Sequence, residues 1–579
     1  MKNIVHGRAA LLFLAFAGLL PCYAPLDAQV YKRIAPSKPT PPPAVKPVLP
    51  APHVASASTA NRVILKKLKG LVFVSDIKEF DKTGFKGKLS AIGINVRNVP
   101  LLTAPGFIKK IAPFIGQPFT LADIAKISHI VVAWYSKGGH ALMDVTIPPQ
   151  NISSGVIQVI VTQYRVGKVE VTGNKWFSST LLRNESGIQV GKPISLGQLR
   201  GDLNWLNSNP FRQVNAVFSP GALPGQTDVD LQTKDQLPLR GYAGFDNQGV
   251  PTLGRSEYNV GFNWGDAFWL DQQLSYQYTR SLSGQYSAHS LDWMIPLPWR
   301  DRLIIFGSYE QEKPALGSGF SSIGQSGQAS LRYMHPLPTL SWLTEDIGVG
   351  YDFKTTNNNL EFGGTQVGTS QNSLNQLLFL YDATETDPWG NTAIKNQFVA
   401  SVGAIRGQTN VSNQTYPSSY VYDQFELNRI TFLPWGFSSA TRFLGQVADH
   451  NLPDSETLDA GGVGSVRGYN PETDLGSEGE LISEEIRAPA FDPAGFLNLP
   501  TPLHSAAQFG VFIDYADVYQ VQTVADSINR ADLASAGVDL HYAVGNSVNV
   551  EMDYGQQLRR APGYSSRGGE FDISVTVSF

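Results

Sequence analysis

The chain ends in nine residues with the sequence FDISVTVSF, positions 571–579, in which every second residue is apolar. Because successive side chains of a β-strand point to opposite faces, this alternation predicts a strand with one apolar face. That face carries Phe571, Ile573, Val575, Val577 and Phe579. A terminal strand of this kind is typical of a transmembrane antiparallel β-barrel, whose outer wall meets hydrocarbon.

The same two-residue period runs back through the sequence as far as about Gly241. Apolar and polar residues alternate in segments 258–264, 274–279, 538–544 and 548–554. A soluble β-sandwich also alternates, but it buries its apolar face against a second sheet and seldom needs so many aromatic side chains. At roughly 10 residues per strand plus turns, residues 237–579 suit a barrel of about 16 strands.

Composition also favours a membrane protein. Charged residues make up 16% of the 579 residues, below the roughly 25% of soluble proteins. The net charge of −4 provides no basic surface, so no nucleic-acid partner is predicted. Beyond the N-terminus, no stretch approaches 18 consecutive apolar residues, so we expect the chain to cross a membrane only as a closed barrel.

Residues 1–28 have the form of a signal peptide. The apolar stretch Ala9–Leu20 follows a positively charged end and is too short to span a bilayer as a helix. Cleavage is expected after Ala24 or Ala28, and lipid attachment at Cys22 is the alternative. Cys22 is the only cysteine, so the mature chain is expected to form no intrachain disulfide.

Residues 29–89 are interpreted as a proline-rich N-terminal segment and linker. The run Pro36–Pro52 favours an extended polyproline conformation, which predicts a stiff or disordered spacer. Asn61–Lys69 is short and basic and fits one or two helical turns. Leu71–Phe80 fits a strand.

Residues 90–163 and 164–236 each predict a small α/β unit with the element order β-α-α-β-β. In the first unit, Thr120 and Asp123 are placed as in a capping box at the start of a helix. In the second, a helix with leucines on one face is expected to end at Pro210. Two such units in succession are a repeat of architecture.

Five segments, in this order along the chain, resemble the two-partner secretion transporters (TpsB type), the haemolysin or adhesin secretion/activation proteins. They are Asp202–Arg212, Pro220–Asp228, Tyr242–Asn247, Gly464–Tyr469 and Phe512–Asp514. The resemblance implies two periplasmic POTRA (polypeptide-transport-associated) domains and a 16-stranded barrel in the outer membrane of a Gram-negative cell.

The resemblance also implies an activity. The POTRA domains would capture an unfolded partner exoprotein with an N-terminal secretion domain, and the barrel would pass it to the cell surface. An exposed sheet edge suits such capture, because it can accept an unfolded chain as an added strand. The alternatives are an insertase that assembles other outer-membrane proteins and a diffusion porin.

The resemblance assigns six residues to one site: an inward-folded loop motif, Val466, Arg467, Gly468 and Tyr469, and a barrel-wall pair, Phe512 and Asp514. Side-chain parity agrees, because Asp514 lies on the face opposite Val511 and Ile513 and would point into the lumen. A carboxylate there needs a partner, and a guanidinium can pair with it bidentately. Without the resemblance, an arginine among glycines is typical of a surface loop.

Two further expectations concern the chain ends. The terminal strand, with Phe579, is expected to be recognised by the barrel assembly machinery as well as to close the barrel. Some relatives carry an N-terminal helix that plugs the pore. Here Gln29–Ala35 offers seven residues, too few for such a helix, so a plug is in doubt unless residues 59–69 provide it.

The sequence indicates no catalytic, metal or cofactor site. Its nine histidines are scattered without a metal-binding motif. The glycines at 461–468 lack the lysine of a phosphate-binding loop, and there is no nucleophile elbow. We therefore expect neither an enzyme nor nucleotide hydrolysis.

Overall fold

The computed structural model describes residues 29–39, 62–140, 142–316, 320–340, 342–362, 365–406, 419–496, 505–524 and 527–579. The signal peptide predicted at 1–28, with Cys22, and most of the proline-rich run lie outside the described residues. None of the helices in the described part of the chain has the length and apolarity to span a bilayer. The chain forms two compact units, one made of α/β domains and the other of a barrel.

The first described element is helix α1 (Gln29–Ile34), which residues 35–39 continue as extended chain. Both group with the barrel unit. Ile34 is fully buried in a cluster with Leu253, Tyr286 and Ala288. A helix of six residues is not stable by itself in water, so these tertiary contacts hold it.

The first α/β domain contains two helices, α2 (Pro105–Ile111) and α3 (Leu121–Lys137). Its strands are β1 (Val63–Leu65), β2 (Gly70–Val74), β3 (Ile94–Arg97), β4 (Phe119–Thr120), β5 (Met143–Thr146) and β6 (Val156–Gln163). The main sheet has the order β3-β2-β6-β5, and β1 pairs with β4. Helical turns within Asn61–Lys69 are therefore wrong, because the β-branched residues there pair as a strand.

The start of α3 confirms the predicted capping box. The Thr120 hydroxyl accepts a hydrogen bond from the Asp123 backbone N–H, and the Asp123 carboxylate accepts one from the Thr120 N–H. Burial alone would raise the pKa of Asp123, but the hydrogen bonds from Thr120 and Lys126 hold it below its ordinary value. The helix then packs Ile127 and Val131 into the core of the domain.

The second α/β domain contains β7 (Arg165–Thr172), α4 (Ser179–Glu185), α5 (Leu196–Leu206), β8 (Arg212–Pro220) and β9 (Gln226–Asp235). Its sheet has the order β7-β9-β8, with β7 and β9 parallel and β8 antiparallel to β9. Helix α5 buries Leu199, Leu203 and Leu206, the leucine face that the sequence predicts. Among the described residues, β8 is an edge strand.

Sixteen antiparallel strands close the barrel, as predicted. In chain order the elements are β10 (Leu239–Asp246), β11 (Glu257–Ala267), β12 (Gln272–Ser281), β13 (Tyr286–Pro296), β14 (Arg302–Glu312), β15 (Phe320–Pro336), β16 (Leu343–Phe362), β17 (Thr365–Asp387), β18 (Gly390–Arg406), β19 (Val421–Phe432), β20 (Ser438–Ala448), the separate hairpin β21 (Leu458–Ala460) and β22 (Asp474–Gly476), β23 (Glu478–Arg487), helix α6 (Pro493–Phe496), β24 (Ser505–Tyr519), β25 (Arg530–Val544), β26 (Val548–Gln557) and β27 (Gly569–Ser578). Strands β10 and β27 pair across Tyr242–Asp246 and Ser574–Ser578 and so close the sheet on itself.

The alternation of side chains along the barrel strands confirms an apolar outer wall and a polar lumen. On β24, Val511 and Ile513 are each 55% exposed, whereas Asp514 is 1% exposed. Exposed tryptophans lie in the turns of one barrel rim, at Trp269, Trp299, Trp342, Trp389 and Trp435. Aromatic side chains at this level are typical of outer-membrane barrels, where they sit at the membrane–water interface.

Candidate functional site

The connection between β20 and β23, residues 449–477, folds into the barrel and is called here the inward loop. It carries the hairpin of β21 and β22. Val466 and Tyr469 are buried with Leu458 and Ala460 of the loop against Leu481 of the barrel wall. The predicted motif 466–469 therefore lies inside the barrel and not on an exposed surface loop.

Arg467 binds the wall residue Asp514 through three hydrogen bonds. Its Nε donates to Asp514 Oδ2 at 2.8 Å, its Nη2 donates to Oδ1 at 2.9 Å, and its backbone N–H donates to Oδ2 at 3.1 Å. The two guanidinium bonds are the bidentate geometry that matches a carboxylate. Both partners are largely shielded from solvent, with Arg467 7% exposed.

Three more wall residues complete the surroundings of the Arg467 guanidinium. Nη1 donates to Glu485 Oε2 at 2.9 Å and to Asp553 Oδ1 at 3.3 Å, and Nη2 donates to the Ser483 hydroxyl at 3.2 Å. The guanidinium also lies 3.4 Å from the centroid of the Phe512 ring, a cation–π contact. One arginine of the loop is thus held by strands β23, β24 and β26.

Gly468 contacts the wall through its backbone. Its φ of +90° favours glycine, and a Cβ at this position would lie 2.6 Å from the carbonyl oxygen of Gly555 on β26. A Cβ on Gly555 would in turn lie 2.5 Å from the Gly468 nitrogen. Two glycines therefore permit a close approach of backbones that no other residue pair would allow.

Tyr469, the last residue of the motif, also binds the barrel wall. Its hydroxyl donates to the backbone carbonyl oxygens of Ala534 and Arg559, at 2.9 and 2.8 Å. The Tyr469 carbonyl also accepts a hydrogen bond from Gly462 N–H at 3.0 Å, which closes the loop on itself.

Sequence reasoning missed Glu485, Ser483, Asp553 and Gly555. Parity within β23 puts Ser483 and Glu485 on the lumen face, but only the strand register brings them opposite Asp514 and Phe512. Register also brings ligand atoms of Glu485, Asp539 and His541 within 4.8 Å of one another, although no sequence motif indicated a metal site.

The N-terminal segment, residues 29–39, lies against the lumen side of β10–β14. The Tyr31 hydroxyl donates to the Leu291 carbonyl at 3.1 Å, and its ring lies 4.7 Å from that of Phe306. The Ile34 carbonyl accepts hydrogen bonds from Ser290 Oγ at 2.5 Å and from Gln277 Nε2 at 3.3 Å.

Residues 35–39, which follow α1, are also bound to the barrel wall. Ser37 N–H donates to the Tyr242 hydroxyl at 3.0 Å, and its carbonyl accepts from Asn263 Nδ2 at 2.9 Å. Lys38 forms a 2.8 Å salt bridge with the buried Asp292. A segment that is too short for an independent helix thus occupies the lumen, and Val63–Leu65 is a strand of the first α/β domain instead.

The terminal residues lie where the alternation predicts. Phe571, Val577 and Phe579 are exposed on the outer side, and Ile573 and Val575 are half-buried. The Phe579 N–H donates to the Gly241 carbonyl at 2.9 Å, and the Gly241 N–H donates back to Phe579 at 2.9 Å. Phe579 thereby extends the pairing that closes the barrel.

This barrel, its two preceding α/β domains and its inward loop define an outer-membrane transport protein of the POTRA-plus-barrel class. Residues 225–542 match the model of the haemolysin secretion/activation protein family ShlB/FhaC/HecB, and the chain belongs to this family. Residues 92–163 match the ShlB-type POTRA domain, and residues 164–234 match the POTRA model described as a surface antigen variable number repeat.

Individual relatives agree with this assignment. The chain is 22% identical to the heme/hemopexin transporter protein HuxB of Haemophilus influenzae over 501 residues, 81% of this chain and 84% of the relative. It is 22% identical to the outer membrane transporter CdiB of Dickeya dadantii, over 65% and 68% of the two chains. The solved structure of CdiB from Escherichia coli superposes with a TM-score of 0.72 at 15% identity, covering 99% of both chains.

These findings confirm the predicted family, fold class and outer-membrane location. The protein is an outer-membrane secretion transporter that acts with a partner exoprotein, and it belongs to a family of transporters rather than enzymes. The insertase and porin alternatives are not favoured.

Proposed function

We propose that the protein captures one unfolded exoprotein in the periplasm and exports it through a lumen that its own chain closes. This proposal rests on the observation that two separate segments of the chain lie in the lumen. The N-terminal segment lies along β10–β14, and the inward loop is bound at Asp514 on β24, in a different part of the wall. Export then requires that the client displace chain from the lumen.

Capture is proposed for the two POTRA domains, which precede the barrel at 237–579. The sequence predicts them at 90–163 and 164–236, but β1 and β2 pair within the first domain, so this domain includes residues 63–74 of the segment interpreted as a linker. The first domain ends its sheet in β3 and β5, and the second ends in β8. Edge strands present backbone donors and acceptors, which bind an extended chain with little regard to side chains. This suits a client that arrives unfolded, with its N-terminal secretion domain first.

The motif Val466–Tyr469 and its wall partners Phe512 and Asp514 are proposed to set the position of the inward loop. Arg467 supplies the charge that the buried Asp514 requires, and Gly468 and Tyr469 fix the backbone that follows it. In this position the loop shapes the lumen along which the client passes.

Transport is proposed to need no cofactor, catalytic step or nucleotide, with client folding at the cell surface giving direction. This is testable in vesicles that contain the protein, without nucleotide and without a membrane potential. Client uptake is expected to persist under these conditions. Loss of transport that nucleotide restores would contradict this part of the proposal.

The outward face of the barrel is proposed to contact outer-membrane lipid. The apolar residues of β27, together with Phe579, are proposed to be the signal that the barrel assembly machinery recognises. No nucleic acid takes part. Both roles use the same surface. The side chains that face lipid after insertion are accessible to the assembly machinery before insertion.

Comparison of secreted proteins from cells with and without the gene tests the function. We expect the loss of a single large exoprotein from the surface and medium while other outer-membrane proteins keep their levels. A general loss of outer-membrane proteins would indicate an insertase. An open, weakly selective conductance with no missing exoprotein would indicate a porin.

A further inference from the structure

The inward loop has a second buried contact with the barrel wall, at Glu456. This residue lies before the hairpin of β21 and β22, eleven positions ahead of Arg467, and is 3% exposed. The Lys354 ammonium on β16 donates to both carboxylate oxygens of Glu456, at 2.8 and 3.0 Å. Lys354 itself is 6% exposed, so the ion pair is shielded on both sides.

Two further wall residues donate to the same carboxylate. Gln376 Nε2 on β17 donates to Glu456 Oε2 at 2.8 Å, and the Tyr422 hydroxyl on β19 donates to the same oxygen at 2.9 Å. The Ser455 hydroxyl of the loop donates to Oε1 at 2.9 Å. A buried ion pair stabilises a conformation only when its remaining hydrogen-bonding capacity is satisfied, and both oxygens of the Glu456 carboxylate have such additional donors.

The two contacts hold the inward loop to different parts of the wall. Glu456 is bound by β16, β17 and β19, whereas Arg467 is bound by β23, β24 and β26. The Glu456 carbonyl also accepts a hydrogen bond from Gln446 Nε2 of β20 at 3.0 Å. Loss of the Arg467 contacts alone would therefore leave the loop attached at its first part.

We propose that Lys354 and Glu456 are positioning residues that form a second anchor of the inward loop, so that the loop leaves its seat only when both anchors break. The inference rests on the proposed export function, because it assigns the anchor to the closed lumen. It does not require the identity of the client. A purely structural ion pair would instead stabilise the barrel without changing the position of the loop.

Loop position can be measured in the full-length protein with a single introduced cysteine, since Cys22 is the only native one. Ala460 suits this probe, because it is fully buried in the seated loop and a cysteine there adds only one sulfur atom. The rate at which an impermeant maleimide labels Ala460→Cys on intact cells reports how often the loop leaves its seat. Channel conductance in planar bilayers provides the second readout.

We expect Glu456→Gln and Lys354→Met to raise the labelling rate about tenfold and to increase the fraction of time spent in large-conductance states. The charge-swapped variant Lys354→Glu/Glu456→Lys is expected to restore both values, because the pair can form again with its charges exchanged. Tyr422→Phe removes one hydrogen bond without leaving a charge unpaired, so it can replace a charge variant that fails to insert. It is also expected to raise the labelling rate and the fraction of time spent in large-conductance states.

Asp572→Asn is the matched control. Asp572 on β27 is 3% exposed, and Arg255 Nη2 donates to its Oδ1 at 3.1 Å. The side-chain hydrogen bonds of Arg255 go to Asn247, Glu570 and Asp572, and not to the inward loop. This variant loses the ion pair of a buried carboxylate and is expected to leave labelling unchanged. Equal labelling in wild type and both Glu456 and Lys354 variants, at equal surface levels, would overturn the inference. An increase in Asp572→Asn as large as in Glu456→Gln would also overturn it. Neither result tests the proposed export function, which is measured separately by the loss of the exoprotein.

Discussion

Replacement of Arg467 by alanine tests the proposed site most directly. The change removes the two guanidinium bonds to Asp514, the bonds to Glu485 and Asp553, and the contact with the Phe512 ring. The barrel strands keep their backbone pairing, so the protein is expected to insert normally. The part of the loop around position 467 is expected to lose its fixed position while Glu456 still holds the first part, and export of the partner exoprotein is expected to fall.

The size of the effect follows from what remains around Asp514. Removal of one partner from a buried ion pair costs about 3–5 kcal/mol, because a charge stays buried and unpaired. Here Asp514 keeps the Ser483 hydroxyl at 2.6 Å and the backbone N–H of residue 467. The lower end, about 3 kcal/mol, is therefore expected, which shifts the balance between seated and unseated loop by roughly 100-fold.

The assay measures partner exoprotein in the medium at matched levels of heat-modifiable, inserted barrel. Arg530→Ala is a suitable control, because Arg530 also pairs with an aspartate, Asp517, but its side chain is 70% exposed. Asp517 is buried, but solvent around the exposed guanidinium weakens this pair relative to that of Arg467, so this variant is expected to export normally. Arg467→Lys keeps the charge but cannot pair bidentately, and intermediate export is expected.

Export by Arg467→Ala at the level of wild type, with equal amounts of inserted barrel, would contradict this prediction. It would show that the contacts between Arg467 and the wall do not set the position that transport requires. Loss of the inserted barrel in this variant, while Arg530→Ala inserts normally, would show instead that the arginine acts in assembly.

Three further predictions concern other parts of the lumen and the barrel seam. Deletion of Phe579 removes the paired backbone bonds to Gly241, and the heat-modifiable barrel is expected to decrease on gels; full insertion would argue against a recognition role. Gly555→Val places a side chain within 3 Å of the Gly468 backbone, and bilayer recordings are expected to show higher mean conductance than wild type. Deletion of residues 29–39, with the signal retained, removes the contacts with β10–β14 and is also expected to raise conductance; wild-type conductance would mean that the segment does not obstruct the pore.

The barrel could be predicted from sequence because its signal is local. Alternation on β24 places Asp514 in the lumen without any knowledge of the neighbouring strands, and exposure along the strand follows it. Strand register is not local in this sense. Glu485 and Asp553 meet Arg467 only because β23 pairs with β24 and β26 with β25 at one particular offset.

For the N-terminal segment, prediction from the sequence failed for a different reason. Helix stability considered by itself gives residues 29–35 no stable structure, so the sequence alone leaves a plug in doubt. The six-residue helix is held by side chains that lie more than 200 positions away, such as Ser290 and Gln277. Val63–Leu65 is a strand for the same reason, because Phe119 and Thr120 provide its partner.

The contact between Gly468 and Gly555 has a consequence for how the channel switches. Two backbones that meet without any side chain between them form a fit with almost no tolerance, since a small displacement loses the contact altogether. Such an arrangement favours two discrete states over a gradual swing. Single-channel recordings of the wild-type protein should therefore show sharp steps between separate current levels, and a continuous drift in current would speak for a soft hinge.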